Sequence, residues 1–233
     1  MKPKSAYSLH NKHKGKTVYI VAPGPSMQEF PLDRLAGKVS VAINSTIEVW
    51  DGYTYWFYAD KRITKIYRRE LATKEDWTVV MPQHQAVRIA PTFKGKELYE
   101  FHYQIQLKPY LLKNRKRKKP ITPYWFDPER IFIPGRASVA SNATSFAYLM
   151  GARKVILIGV DFCWKDVYYT PGVVRNKGAA LSSKTKVLAS GLNWYRSALK
   201  RLWPDLKVFT VSKILSEHAP KIKCLSVEEA LNG

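Results

Sequence analysis

Cysteine is nearly absent: Cys163 and Cys224 are the only two in 233 residues. Two thiols cannot build a disulfide scaffold or a Cys-based zinc site, and a reducing cytoplasm is the default expectation. No run of about 18 apolar residues occurs, so hydropathy offers no membrane-spanning helix. Residues 1–16 are basic and polar with no apolar stretch, so they do not read as a secretory signal. Acidic residues are scarce as well: 18 Asp+Glu stand against 39 Lys+Arg, formally +21. So large an excess makes a positive field that attracts polyanions, whether nucleic acid, anionic membrane or a phosphorylated substrate. Two familiar phosphate loops, G-x-G-x-x-G and G-x-x-x-x-G-K-[ST], are also missing.

What is present is enough apolar material, 45% of residues, for one sizeable core. Short runs rich in β-branched and aromatic residues, uncharged apart from Lys154, recur: 18–22, 39–43, 55–59, 77–81, 154–158 and 208–211. Runs of that kind suit strands covered on both faces. Between several of them lie segments with helical spacing, including 63–71, 139–150 and 188–202. Strand, turn and helix in alternation predict an α/β fold with a mostly parallel sheet flanked by helices and joined by right-handed crossovers. Residues 1–15 read as a flexible basic arm and 16–233 as a single domain. Within it, 82–134 reads as a basic, aromatic-rich insertion, and 164–185 is long enough for a structureless loop to serve as a lid.

The candidate chemistry collects where strands end. The first strand runs into Pro23, Gly24, Pro25 and Ser26. Gly24 has no Cβ and lets a ligand approach the backbone, while Ser26 offers a hydroxyl to an oxygen or caps a helix. Asn44 follows the second strand with donor and acceptor groups suited to a base or ribose. Asp60 follows the third and could hold ribose hydroxyls or a hydrated Mg²⁺. Arg136 and Ser138 open the 139–150 helix, whose free N–H groups favour an anion. The strand 154–158 ends in Gly159, Val160 and Asp161. In the candidate lid, Asp166, Tyr168 and Tyr169 complete the set, and Asp161 or Asp166 could act as a base.

One stretch concentrates the charge: Lys113, Arg115, Lys116, Arg117, Lys118 and Lys119 put six cations in seven residues. Such a run repels itself and stays solvated unless an anion binds it.

Three segments together carry a family resemblance: the opening strand with Pro23 to Ser26, Asn44 after the second strand, and Leu149 to Phe162. They resemble the bacterial lipooligosaccharide sialyltransferases that use CMP-sialic acid. They also resemble the related uncharacterised-domain family that includes archaeal hydroxymethylpterin diphosphokinase and flagellin-associated sugar transferases. The resemblance implies a Rossmann-like sheet with a nucleotide at its strand ends and a lid after the Gly159-Val160-Asp161 strand. It would place Gly24, Ser26 and Ser138 by the phosphate and Asn44 by the base or ribose. Tyr168 or Tyr169 would steady the departing phosphate. The chain departs from the family at two positions: Pro23 replaces an Asn, and 182–186 lacks the His that serves as base. The expected activity is that of a glycosyltransferase with a nucleotide sugar as donor and a polyanionic acceptor, such as DNA carrying hydroxylated bases. Two alternatives stand beside it: an ATP-dependent diphosphokinase-like transferase using Mg²⁺ partly held by Asp60, and a nucleic-acid-binding module without catalysis.

Overall fold

The computed structural model describes residues 1–104, 132–134, 138–161 and 205–232. Its centre is a sheet in which every pairing is parallel. The strands are β1 (Lys4–Ser5), β2 (Thr17–Val21), β3 (Val39–Ile43), β4 (Tyr55–Phe57) and β5 (Thr78–Pro82), followed by β6 (Glu97–Gln104), β7 (Phe132–Pro134), β8 (Lys154–Ile158), β9 (Lys207–Thr210) and β10 (Lys223–Cys224). Nine of them lie in the order β1-β6-β5-β4-β3-β2-β8-β9-β10, and β7 pairs with β6. This is a Rossmann-like α/β architecture: from β2 the chain moves outward through β3, β4, β5 and β6, then returns to β8 on the other side of β2.

Both faces of the central strands are covered, which explains the uncharged runs. On one face Val18, Ile20, Val41, Phe57 and Phe101 pack with the helix α4 (Val139–Leu149). There Phe57 stacks on Phe101 at 5.0 Å and on Phe146 of α4 at 5.5 Å between centroids. The small residues Ala143 and Ala147 let α4 sit close to β2 and β3. On the other face Trp56, Tyr58, Val79 and Met81 are covered by α1 (Lys61–Ile66), α2 (Arg68–Leu71) and α3 (Gln83–Ile89). The helix expected over 63–71 is broken at Tyr67, which leaves helical geometry at φ −97°, ψ 24°. Two further short helices, α5 (Lys213–His218) and α6 (Val227–Leu231), close the chain, each capped by a serine side chain.

Two expectations are corrected. The first is the flexible arm over 1–15, which is instead packed. Ala6 and Leu9 are 0% and 1% exposed, β1 pairs with β6, and the Asn11, His13 and Gly15 amides donate to the carbonyls of Leu149, Met150 and Gly151. Two apolar residues among the cations suffice to anchor the segment, because its backbone groups find partners in the loop after α4. The second is the 82–134 insertion. Its first part is not inserted, since α3 and β6 continue the sheet, and β6 pairs with β5 from Glu97 to Phe101. The polar residues interspersed along Glu97–Gln104 hid the strand, although Leu98 packs on one face of the sheet and Tyr99 and Phe101 on the other. The rest of that segment, 105–131, lies outside the described residues.

Candidate active site

Parallel α/β sheets bind ligands outside the carboxyl ends of their strands, where strand order reverses. Here that switch point lies between β2 and β8, which are paired from Thr17↔Lys154 to Val21↔Ile158. Beyond the paired strands the two ends stay bonded to one another. The Ala22 amide donates to the Ile158 carbonyl at 2.8 Å and the Gly24 amide to the Gly159 carbonyl at 2.9 Å. Then Ser26 donates twice to the Asp161 carboxylate, through its backbone N–H to Oδ2 at 2.8 Å and through its hydroxyl to Oδ1 at 2.6 Å.

This geometry changes the reading of three residues. Gly24 is extended, at φ −82°, so it does not serve a left-handed turn. Its lack of a side chain is required by β8: a Cβ there would stand 2.3 Å from the Gly159 carbonyl oxygen and 2.5 Å from Asp161 Oδ2. The close approach read from the sequence is therefore to the protein's own backbone. Gly159 does need positive φ, at +66°, and a Cβ on it would lie 1.9 Å from the Ala22 oxygen. Asp161, a candidate base in the sequence, is 2% exposed with both oxygens accepting from Ser26. It acts as the latch that holds the turn against β8. Pro25 opens a 3-10 turn, Pro25–Met27, which buries Met27.

Asn44 closes β3 at the same edge. It is one of two non-glycine residues with positive φ among those described, at +55°. Asn tolerates this region better than most side chains. Its carbonyl accepts from the Trp56 indole at 2.6 Å, and its side-chain Oδ1 is buried without a partner among the described residues. Trp56 carried no signal of this role in the sequence, where it reads only as core.

Asp60 follows β4 and caps α1, accepting from the Arg62 amide at 2.9 Å and from the Arg62 guanidinium. The guanidinium holds its pKa below the ordinary carboxylate range. Both oxygens are thus engaged, a poor arrangement for Mg²⁺. Among the described residues no group of three or more His, Cys, Asp or Glu side chains suits a metal ion. Next along the edge, Gln85 is buried after β5, accepting from Thr64 and donating to the Ala59 carbonyl at 2.9 Å.

Ser138 caps α4, its hydroxyl accepting from the Ser141 amide at 3.1 Å. The last turn of α4 meets Asn11 to Gly15, just before β2 begins. The helix therefore runs antiparallel to the strands, and its N-terminus opens on their carboxyl edge. The structure thus brings Gly24, Ser26, Asn44, Asp60, Ser138 and Asp161 to one edge. Arg136, Asp166, Tyr168, Tyr169, the 164–185 segment and the cations from Lys113 to Lys119 lie outside the described residues.

No protein-family model and no curated protein matches the sequence. Solved structures do. The monofunctional α-2,3-sialyltransferase Cst-I from Campylobacter jejuni superposes with a TM-score of 0.54 at 15% identity, covering 94% of this chain and 82% of the other. The fold is that of the Campylobacter sialyltransferases. The C. jejuni sialyltransferase CstII in complex with cytidine-5'-monophosphate gives 0.51 at 14% identity, with 92% and 86% of the chains covered. CST-II in complex with a trisaccharide acceptor and CMP gives 0.51 at 16%, covering 90% and 86%. At such identities the likeness is one of architecture. Among the described residues no helix is long and apolar enough to cross a membrane.

Proposed function

We propose that this chain is a nucleotide-sugar-dependent glycosyltransferase whose donor nucleotide lies along the carboxyl ends of β2 and β3, against Asn44. The observation that carries this reading is the Oδ1 of Asn44, buried without a partner among the described residues and held in a left-handed conformation beside the switch point. An unsatisfied buried acceptor costs about 1–3 kcal/mol unless a donor arrives. The exocyclic amine of a base or a ribose hydroxyl supplies one. Solved structures with this fold hold CMP, which supports the same assignment.

Of the two carboxylates considered as base, Asp161 is committed to Ser26, which leaves Asp166. In the transfer, Asp166 would take the proton of the acceptor hydroxyl as its oxygen bonds to the sugar's anomeric carbon. The bond from that carbon to the phosphate oxygen breaks, and the nucleotide leaves with the electron pair. Tyr168 or Tyr169 would hydrogen-bond the departing phosphate. Asp60 has no part in this scheme as a metal ligand, and a diphosphokinase reading that needs it for Mg²⁺ loses its support.

The test is calorimetric titration with CMP, UDP and ATP, with and without Mg²⁺, on the wild type and Asn44→Gly. Glycine keeps the positive φ and removes only the amide. We expect a pyrimidine nucleotide to bind the wild type and to bind the variant at least tenfold more weakly. Equal affinities, or no binding at millimolar nucleotide, would overturn the assignment.

For the acceptor, the charge of +21 favours a polyanion, first a nucleic acid with hydroxylated bases. A target base in a duplex would have to be flipped out or already unpaired. Replacing the six cations of 113–119 by Gln should weaken DNA binding in low-salt mobility shifts and flatten its salt dependence. An unchanged salt slope would remove that stretch from the interface.

A further inference from the structure

Opposite the carboxyl edge, where the parallel strands begin, the sheet sorts its charges by sign. Asp51 precedes β4, Glu75 and Asp76 precede β5, and Glu97 opens β6. On the other half of the same edge Lys16 precedes β2, Arg153 precedes β8, and Lys154 and Lys207 open β8 and β9. Backbone bonds set these cations side by side. The Arg153 amide donates to the Lys16 carbonyl at 3.3 Å and the Lys207 amide to the Arg153 carbonyl at 2.9 Å, while Lys154 and Lys207 are ladder partners. Lys14 joins the row beside the loop after α4, so close that a Cβ on Gly151 would stand 2.8 Å from its Cα. Lys14, Lys16, Arg153 and Lys207 are exposed and Lys154 is half-buried. None of the five takes part in an ion pair among the described residues.

The needs of the fold do not account for this row. Like charges directly opposite on neighbouring strands destabilise a sheet, and Lys154 and Lys207 are such a pair. The last carbonyls of α4 lie here, but they already accept from the Asn11, His13 and Gly15 amides, so no lysine is needed to cap them. Of the nearby carboxylates, Asp205 forms no ion pair among the described residues, and Glu229 is engaged by the Ser226 amide in the cap of α6. A row of cations suits a linear polyanion. Across β2, β8 and β9 it spans roughly 10 Å, the length of about three phosphates along one nucleic-acid strand. The large apolar side chains exposed among the described residues, Met1, Ile66 and Val87, lie outside the row, which therefore has nothing to insert into a lipid surface. We propose that Lys14, Lys16, Arg153, Lys154 and Lys207 form a ridge that binds the phosphate backbone of a nucleic acid, independently of its sequence, on the edge opposite the candidate active site. The carboxylates before β4, β5 and β6 repel the same backbone and confine it to the basic half. The ridge stands whether or not the opposite edge transfers a sugar.

The experiment is fluorescence-anisotropy titration of the full chain with a short random-sequence DNA duplex over a series of salt concentrations. The ridge variant carries Lys14→Gln, Lys16→Gln, Arg153→Gln and Lys207→Gln, four exposed positions that leave the core intact. A control variant loses the same charge from exposed positions in and beside α1 and α2, through Lys65→Gln, Arg68→Gln, Arg69→Gln and Lys94→Gln. We expect the ridge variant to bind at least tenfold more weakly at low salt. Its plot of log affinity against log salt should flatten by about 2–3 units, since each neutralised phosphate contributes ~0.9. The control should stay within about threefold of the wild type, because overall charge acts only through a screened field. Equal weakening in both variants would reduce the effect to net charge, and an unchanged affinity and slope in the ridge variant would remove the ridge; either overturns the proposal. So would a ridge variant that keeps its DNA affinity but no longer sediments with phosphatidylserine–phosphatidylcholine vesicles, which would assign the row to a membrane. Titration of the same variant with CMP separates this proposal from the function proposed above: failure of CMP to bind wild type and variant alike would refute that function and leave the ridge standing.

Discussion

The bond between Ser26 and Asp161 decides whether the Pro23–Ser26 turn is built by the fold or waits for a ligand. Replacing Ser26 by Ala leaves the backbone N–H on Oδ2 and deletes the 2.6 Å hydroxyl contact to Oδ1. That contact is a hydrogen bond to a carboxylate that is 2% exposed, so solvent cannot replace the lost donor readily. Hydrogen bonds to charged groups contribute about 1.5–3 kcal/mol, and ~2 kcal/mol is the expected loss here. For a chain of this size that loss lowers Tm by roughly 4–8 °C. Asp161→Ala removes both accepting oxygens, the one that takes the hydroxyl included, and should cost at least as much. Because both changes remove the same contact, the double variant should cost clearly less than the two single losses together. The assay is urea and thermal unfolding by circular dichroism with no nucleotide present. If either single variant unfolds within about 0.5 kcal/mol of the wild type, as ordinary surface substitutions do, the reasoning fails. Ser26 and Asp161 would then be free groups reserved for substrate.

Two other expectations concern the N-terminal segment. Leu9→Ala should destabilise the chain by about 2–5 kcal/mol in urea unfolding, as for other fully buried leucines, whereas a free arm would show no change. His13 shares a 2.9 Å hydrogen bond with the Tyr55 hydroxyl, and burial, then Lys12 and Lys16, hold its pKa below 6.5. As pH falls the unfolded chain takes up that proton first. The contribution to stability is therefore complete above pH 6.5 and lost as pH drops through the folded value. An NMR titration should place His13 below 6.5, and His13→Gln should flatten the stability curve on the acid side; a midpoint at or above 6.5 would refute the assignment.

Much of the fold could be read in advance because it depends on local pattern. The runs 39–43 and 154–158 became β3 and β8 with those bounds, and Val139–Leu149 became the helix α4. In each case apolar periodicity and flanking turn residues agree with tertiary burial. The segments that escaped, β1, β6, α3 and β10, are short or mix polar residues among the apolar ones. Their structure is set by pairing with strands far along the chain, as for Lys4↔Tyr99 in β1 and β6.

The candidate site divides in the same way. That Gly24, Ser26, Asn44, Asp60, Ser138 and Asp161 follow strands or open helices was legible, because strand ends are marked by local composition. What each side chain does was not. Gly24 is held by a carbonyl 135 residues away in sequence, and Asp161 by a serine at the same separation. Asp60 is claimed by Arg62 only because α1 begins there. By itself the sequence determined the α/β alternation, the parallel sheet and the edge on which polar groups gather, since these follow from chain periodicity and the handedness of crossovers. Only the tertiary structure decided which of those groups are consumed in holding the turn and which, like the Asn44 Oδ1, have no partner among the described residues, because hydrogen bonds are assigned by proximity in space and not along the chain.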